Sequence, residues 1–419
     1  MIFYKETNLK ETSIGEIPRD WDIVKLGDAS ETIKGKKPTR LLDEKSENAI
    51  PYLTAEYMRS NSNVQWCERD DQNVIQVNKN DLLMIWDGSY SGDVFIGFEG
   101  ALASTMIKIT PNENLDRNFL HYFLTTKFDF IRGTTSGTGV PHVSKSIFEN
   151  LLVPLPPLNE QRAIVGVLGV VDSVIAKTGE VIAKTERLKK GLMQTLLTRG
   201  IGHKEYKQTP IGTIPKEWHV TKLGEIIIKL KRGPSKQTND SGVGVVYLTS
   251  DYITDDGFLI FENLKFLEEN LIDDVDKYLL EPNDVLVNCV NSVDKIGKVA
   301  VFEGYSKRTI VGFNNFALTL ASHVNPFFLK YVLLQDRYKA IFRSIGKAAV
   351  QQVSFSSKDL LRVEVPIPQS MSEQEEIVAV LSTIDKKLRI EKNEKIKFER
   401  IKRSLMDLLL TGKIRVKVD

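Results

Sequence analysis

The sequence predicts a mixed α/β protein in which two similar globular domains are joined by two long antiparallel helices, an internal repeat with pseudo-two-fold character. Three observations carry that expectation. A helical run occurs twice, an entry motif occurs twice, and the strand-like stretches between them keep their pattern while the loops do not.

The helical run extends from Leu158 to Arg199 and recurs from Ser372. Aligning Glu160-Gln161 with Glu373-Gln374 sets an offset of 213, which also carries Ile164 to Ile377, Leu168 to Leu381 and Asp172 to Asp385. In the first copy Ile164, Leu168, Val171, Ile175, Ile182, Leu188, Leu192 and Leu196 fall mostly at steps of four and three, the mark of a narrow apolar seam on one helix face. The second seam reads Ile377, Leu381, Ile384, Leu388, Phe398, Ile401, Leu405 and Leu409. Asn159, after Pro154, Pro156 and Pro157, marks one start; Ser372 with Glu375 offers a capping box at the other, and Gly200 and Gly412 are the stops. At ~1.5 Å per residue each helix would be roughly 60 Å long. Neither can bury such a stripe alone, so the two seams are expected to bury each other.

The repeat reaches beyond the helices. Ile14-Gly15, Ile17-Pro18, Trp21 and Lys25-Leu26-Gly27 return as Ile211-Gly212, Ile214-Pro215, Trp218 and Lys222-Leu223-Gly224. YLTAEYM from Tyr52 returns as YLTSDYI from Tyr247, NDLLMIWDGS from Asn80 as NDVLVNCVNS from Asn283, and VPLP at Val153 as VPIP at Val365. Strand-like alternation covers Asp81 to Trp86, Val94 to Phe98 and Met106 to Ile109, and again Val285 to Asn288, Val299 to Phe302 and Ala317 to Leu320. A helix follows in each copy, Phe119 to Phe130 and Pro326 to Ile345. The expected organisation is a first domain over 1–157, a spacer helix over 158–200, a second domain over 201–370, a second spacer helix over 371–412 and a tail over 413–419. The loops after Lys34, around Trp66, around Tyr90 and after Arg132 differ between the copies, as they would on one scaffold carrying two different readers.

With 419 residues, 42% apolar and 27% charged, the chain has an ordinary soluble composition and room for two or three domains. No run of about 18 apolar residues is present, and MIFYKETNLK has no signal-peptide core, so a cytoplasmic protein without a membrane partner is expected. Cys67 and Cys289 stand alone and the five histidines are scattered, which suggests neither a disulfide nor a metal site. A net charge of +2 means that any nucleic-acid surface must come from local clustering.

A search for catalytic constellations returns little. There is no GxxxxGK[ST] phosphate loop. Asn325-Pro326-Phe327-Phe328 resembles the base-gripping motif of amino-methyltransferases but lacks its second proline and any preceding Gly-rich cofactor loop, and reads better as a helix start. Pairs such as Asp70-Asp71 and Asp255-Asp256 read as turns. Basic clusters recur at matching stations: Lys34, Lys36, Lys37 and Arg40 in the first copy, Lys229, Lys231, Arg232 and Lys236 in the second. A basic run by itself is usually a solvated face, whereas its recurrence points to phosphate and base contact. The loop from Thr134 to Lys145 adds Thr134, Ser136, His142 and Lys145; its counterpart from Ser344 adds Lys347, Gln351 and Gln352, with Arg132 and Arg343 near the ends of the preceding helices. Tyr52 and Tyr247 are candidates for base stacking, though strand aromatics are more often core.

Taken together, IGEIPRDWDIVKLGD and IGTIPKEWHVTKLGE, VPLPPLNEQRAIVGVL and VPIPQSMSEQEEIVAVL, GTGVPHVSK, and RLKKGLMQTLLTRG and RIKRSLMDLLLTGK resemble the specificity subunit of Type I restriction-modification systems over essentially the whole chain. The resemblance implies two target-recognition domains, each reading half of a bipartite double-stranded DNA sequence, with the helices as a ruler. It further implies docking to two methyltransferase (modification) subunits, which carry S-adenosylmethionine and methylate adenine, and to restriction subunits that cleave DNA. The chain itself would be non-catalytic and hold no cofactor. The alternatives are a stand-alone DNA methyltransferase or nuclease, which S-adenosylmethionine binding by the isolated chain would reveal, and a protein-only coiled-coil adaptor, which would bind no DNA.

Overall fold

The computed structural model describes residues 2–134, 141–349 and 352–417. Two compact units emerge, Met1–Glu180 with Asn393–Asp419 and Val181–Lys392, each holding one globular domain with a segment of both long helices.

In the first unit the strands are β1 (Phe3–Lys5), β2 (Leu9–Thr12), β3 (Gly15–Pro18), β4 (Asp22–Lys25), β5 (Ser30–Lys34), β6 (Ala49–Leu53), β7 (Gln65–Glu68), β8 (Gln76–Val77), β9 (Leu82–Ile85), β10 (Val94–Phe95), β11 (Gly100–Leu102), β12 (Met106–Pro111) and β13 (Leu152–Leu155). They build an antiparallel sheet in the order β10-β9-β12-β5 and a second in the order β7-β6-β11-β8, in which β6 and β11 are parallel. Leu82, Leu83, Met84 and Ile85 of β9 are all fully buried because the strand serves two cores. Leu82 and Met84 join the core around Phe119 and Leu120, while Leu83 and Ile85 face the core of the second sheet. The alternation expected over Asp81 to Trp86 is thus replaced by a strand buried on both faces.

The second unit repeats the plan with β14 (Tyr206–Thr209), β15 (Gly212–Pro215), β16 (His219–Lys222), β17 (Ile227–Arg232), β18 (Val245–Leu248), β19 (Phe266–Leu267), β20 (Val285–Asn288), β21 (Val290–Asn291), β22 (Val299–Val301), β23 (Thr309–Val311), β24 (Asn315–Leu320), β25 (Lys347–Ala349), β26 (Gln352–Ser354) and β27 (Glu364–Ile367). Its sheets run β17-β24-β20-β22 and β19-β18-β23, with β18 and β23 parallel, plus a small β21-β26-β25 sheet. β20 again divides its side chains, Val285 and Val287 to one core and Leu286 to another.

Entry and exit of each domain are zipped together. β4 pairs antiparallel with β13, Val24 opposite Val153, and β16 pairs with β27, Val220 opposite Pro366. The domain helices expected as single pieces are each broken in two, Arg117–Thr126 then Phe128–Gly133, and Pro326–Leu333 then Asp336–Ile345. The break re-aims the second piece so that Ile131, or Tyr338 and Phe342, can also reach the core. Asn325 caps the Pro326 helix by accepting from the Phe327 and Phe328 N–H groups, so that motif is a helix start.

The long helices span Leu158–Arg199 and Met371–Leu409. Their starts differ from the sequence expectation. The first opens directly after Pro157, whose carbonyl accepts from the N–H groups of Glu160 and Gln161, so Asn159 lies inside it. The second is capped by Ser370, whose hydroxyl accepts from Glu373 N–H at 3.4 Å, so the expected Ser372–Glu375 box is replaced. Gly200 (φ +63°) and Gly412 (φ +71°) lie just beyond the ends in the left-handed conformation.

Within each unit the segments of the two long helices run antiparallel. In the first, Asp172 meets Lys402 and the Gly179 position faces Lys395; in the second, Glu186 meets Lys392 and Lys189 meets Asp385. Ile164, Leu168, Ile377, Leu381, Leu388 and Leu409 are buried, and Val171, Ile175, Leu192, Leu196, Ile384 and Leu405 are half-buried. The deepest of these enter the domain cores, Ile164, Leu168 and Leu409 in one unit and Ile377 and Leu381 in the other, so the seams are shared with the domains rather than closed on each other. Leu188 (54% exposed) and Ile401 (48%) are corrected out of the seam. The next residues, Lys189 and Lys402, take the position. Each forms an ion pair with an aspartate of the other helix, 2.5 Å to Asp385 and 2.6 Å to Asp172. Within the tail over 413–419, Ile414–Val416 form a strand antiparallel to β1, and Val416 is buried in the first unit's core. Among the described residues no helix is long and apolar enough to cross a membrane.

Candidate nucleic-acid interface

Each copy anchors its domain to a long helix through the Glu-Gln pair that defined the repeat. The Trp21 indole N–H donates to Glu160 at 3.1 Å, and that of Trp218 to Glu373 at 3.1 Å. Gln161 donates to the carbonyls of Asn114 (2.9 Å) and Pro156 (2.8 Å) and accepts from Asp116 N–H (2.7 Å). Gln374 does the same with His323, Pro368 and Asn325. Both glutamines are fully buried, and this completeness is what burial of a polar amide demands. Tyr122 donates to Asp172 and Tyr331 to Asp385, both at 2.7 Å, which ties each domain helix to the interhelical ion pair. Burial, reinforced by those bonds, pushes both phenols up from their ordinary values.

On this frame the two loops singled out in each copy converge at the C-terminal end of β9 or β20. In domain 1 the basic loop leaves edge strand β5; Lys34 pairs with Asp87 at 2.9 Å, and Asp87 bridges to His142 of the exit loop. In domain 2 the basic loop leaves edge strand β17, and β21 pairs with β26, which carries Gln352. The start of each basic loop is pinned by a glycine: a Cβ on Gly35 would lie 2.1 Å from the Ala103 carbonyl oxygen, and one on Gly233 1.8 Å from that of Val311. Asp71 then holds the first loop, accepting from Thr39 N–H (2.6 Å) and Thr39 hydroxyl (3.0 Å). Asn73 N–H also donates to Asp71 at 2.9 Å, and the Asn73 and Thr39 N–H groups, Asn73 foremost, draw its carboxyl below the usual range. Tyr247 holds the second, donating to the Pro234 carbonyl (2.6 Å) and accepting from Phe313 N–H (2.8 Å). Tyr52 and Tyr247 are buried, so both act as core residues rather than stacking platforms.

Lys36, Lys37, Arg40, Lys229, Lys236, Lys347, Gln352, His142 and Lys145 are exposed. Lys145 also reaches Glu149 at 3.6 Å, and Lys229 reaches Glu281 at 3.8 Å. Arg232 gives its Nε–H to the Phe313 carbonyl at 2.8 Å and Arg343 gives its own to that of Val293 at 3.1 Å, so both brace loops while remaining exposed. Arg132 is exposed and lies over the Phe128 ring. Two expectations change. Lys231 is enclosed, its side chain 10% exposed and bound to the Leu279 carbonyl and the Glu281 and Asp284 carboxylates, which removes it as a phosphate contact. The Thr134 hydroxyl donates to the Ile131 carbonyl at 2.8 Å and so closes a helix end. Ser136 and Gln351 lie outside the described residues.

Sequence reasoning missed Arg59, Tyr90 and Asp93. Arg59 lies 3.6 Å from the centre of the Tyr90 ring and pairs with Asp93; Tyr90 is 44% exposed. The signal was an aromatic residue in the glycine-bracketed stretch WDGSYSGD, one of the loops that differ between the copies.

Comparison with known proteins follows the same lines. The family model for the Type I restriction modification DNA specificity domain matches twice, over residues 18–187 and 215–400. The chain is 35% identical to the Type I restriction enzyme MjaVIII specificity subunit of Methanocaldococcus jannaschii, over 100% of this chain and 98% of that protein. It is 24% identical to the Type I restriction enzyme EcoBI specificity subunit of Escherichia coli, over 71% of this chain and 65% of that one. Among solved structures, the S subunit of the Type I restriction-modification system from M. genitalium superposes with a TM-score of 0.60 at 17% identity, covering 98% of this chain and 99% of that one. The chain therefore belongs to the Type I restriction-modification DNA specificity family, as a two-domain specificity subunit that recognises the DNA target and is not itself an enzyme.

Proposed function

We propose that each domain reads one half of a bipartite, asymmetric DNA sequence, that the long helices set an unread gap between the halves, and that the chain docks two methyltransferase subunits and the restriction subunits in the cytoplasm. The organisation is the one read from the sequence, domains over 1–157 and 201–370 with spacers over 158–200 and 371–412. The observation that carries this reading is the contrast between what repeats and what does not. The anchors (Trp21, Glu160, Gln161; Trp218, Glu373, Gln374) are the same in both copies, while the turns that end β9 and β20 differ. DNA contact is assigned to Lys34, Lys36, Lys37, Arg40, Arg132, His142 and Lys145 in domain 1, and to Lys229, Arg232, Lys236, Arg343, Lys347 and Gln352 in domain 2. Phosphate neutralisation supplies affinity and base edges supply discrimination.

The test is exchange of one domain at its zipped ends, β4/β13 or β16/β27, in the complete complex, followed by mapping of methylated adenines. One half-site should change and the other, with the gap, should stay. Adding a helical turn to both spacers should lengthen the gap; an unaltered gap refutes the ruler.

A further inference from the structure

The turn that follows β9 folds on itself. Ser91 N–H donates to the Gly88 carbonyl (3.1 Å), Gly92 N–H to that of Ile85 (2.8 Å) and Asp93 N–H to that of Tyr90 (3.1 Å). Gly88 and Gly92 hold φ values of +112° and +100°, conformations that other residues rarely adopt, so the turn is a built feature rather than slack. It carries Tyr90, exposed, three residues from Asp87, which joins Lys34 to the His142 segment. Arg59 comes from the last turn of a separate helix, Ala55–Ser60, and lays its guanidinium over that ring while Asp93 takes its Nη1.

A surface arginine ordinarily spreads over many rotamers and loses side-chain entropy when it is fixed. Here a ring and a carboxylate have already fixed it, yet the side chain remains 38% exposed. A guanidinium carries five N–H donors, and the bond to Asp93 engages Nη1 alone. A fixed guanidinium plane holds its fork ready for a two-acceptor partner. Phosphates can be met by the exposed Lys36 and Lys37 as point charges, whereas among base edges the two-acceptor partner is guanine O6 and N7 in the major groove.

We propose that Arg59 reads a guanine in the half-site bound by domain 1, donating from its fork to O6 and N7, with Tyr90 and Asp93 as positioning residues. The assignment rests on the two-half reading above. Among the described residues domain 2 does not build this trio: after β20, Arg343 spends its Nε–H on the Val293 carbonyl and braces the turn. The two half-sites are therefore read by different means at this station.

The test compares wild type, Arg59→Lys, Tyr90→Phe and Tyr90→Ala in the complete complex with its methyltransferase subunits, with thermal melting to establish that each variant folds. Methylation is scored on duplexes in which every position of both half-sites is varied singly. Arg59→Lys keeps the charge and loses the fork, so preference for guanine at one position of one half-site should fall roughly tenfold or more, with every other position unchanged. Tyr90→Phe should match wild type, and Tyr90→Ala should weaken the same position by less. An unchanged profile, a uniform loss at all positions, or a change in the other half-site would overturn the assignment while leaving the two-half reading intact. A wild-type complex that methylates no two-part sequence would overturn both.

Discussion

The two domains share a frame and differ where the frame ends. At the foot of domain 1, Glu160 is held by Arg415, which reaches both its oxygens (2.8 and 2.7 Å) and also Glu6 and Asp20. At the foot of domain 2, Glu373 is held by His203 at 2.8 Å, and the chain runs on covalently from the helix into the domain. In the first case the helix end is joined to the domain by a strand pair, β1 with Ile414–Val416, and three carboxylates converge on Arg415. The comparison teaches that the repeat preserves a geometric job, holding a Trp-Glu-Gln anchor, and leaves free the chemistry that does it.

The interhelical ion pairs offer the sharpest way to break the equivalence. Asp385 and Lys189 have side chains 4% and 12% exposed, whereas Asp172 and Lys402 are 38% and 25% exposed. Asp385→Ala strands an enclosed ammonium and should cost roughly 3–5 kcal/mol, while Asp172→Ala should cost about 1 kcal/mol. Denaturant unfolding of the two variants decides it; equal losses would mean that burial does not distinguish the copies. Next in size is the shared close approach of the basic loops. Gly35→Ala and Gly233→Ala should each lose about 3 kcal/mol by forcing a methyl against a carbonyl, and calorimetry showing no loss in either would refute the common frame.

His121 and Lys330 stand at matching places on the domain helices and sharpen the comparison through pH. Burial first, then the Lys402 charge, pushes the His121 imidazole down to about 4. It is neutral in the folded protein, so the unfolded chain binds the extra proton below about 6.5. That part of the stability is complete at neutral pH and falls as pH drops from about 6.5 towards 4, by roughly 3 kcal/mol in all. His121→Phe should flatten the acid limb of a melting-temperature profile. At the matching place in domain 2, burial pushes the Lys330 ammonium down from its ordinary value. The smallest structural effect belongs to the exposed lysines. Lys36→Ala and Lys37→Ala should leave stability within about 0.5 kcal/mol. Each should reduce the salt dependence of DNA binding by the complex by about one unit of log-log slope.

Much of the architecture was legible beforehand. The offset of 213 located both helices and paired Asp172 with Asp385, because a duplicated packing solution keeps its apolar spacing. What pattern alone misplaced is instructive. Leu188 and Ile401 look like seam residues and are exposed, because Lys189 and Lys402 beside them answer a carboxylate on the other helix. Hydrophobic periodicity carries no term for a partner roughly two hundred residues away. Lys231 misled for the same reason: its neutralising neighbours, Glu281 and Asp284, lie some fifty residues downstream.

By itself the chain determined its periodicities, its breaks and its duplication, since helix pitch, strand alternation and glycine stops act among neighbours a few residues apart. Only the tertiary structure decided which charges are free to meet DNA, that Arg59 would lie on Tyr90, and that the last strand would close on the first. Those depend on side chains brought within a few ångströms from distant parts of the chain, where Coulomb attraction and close packing act and sequence spacing does not.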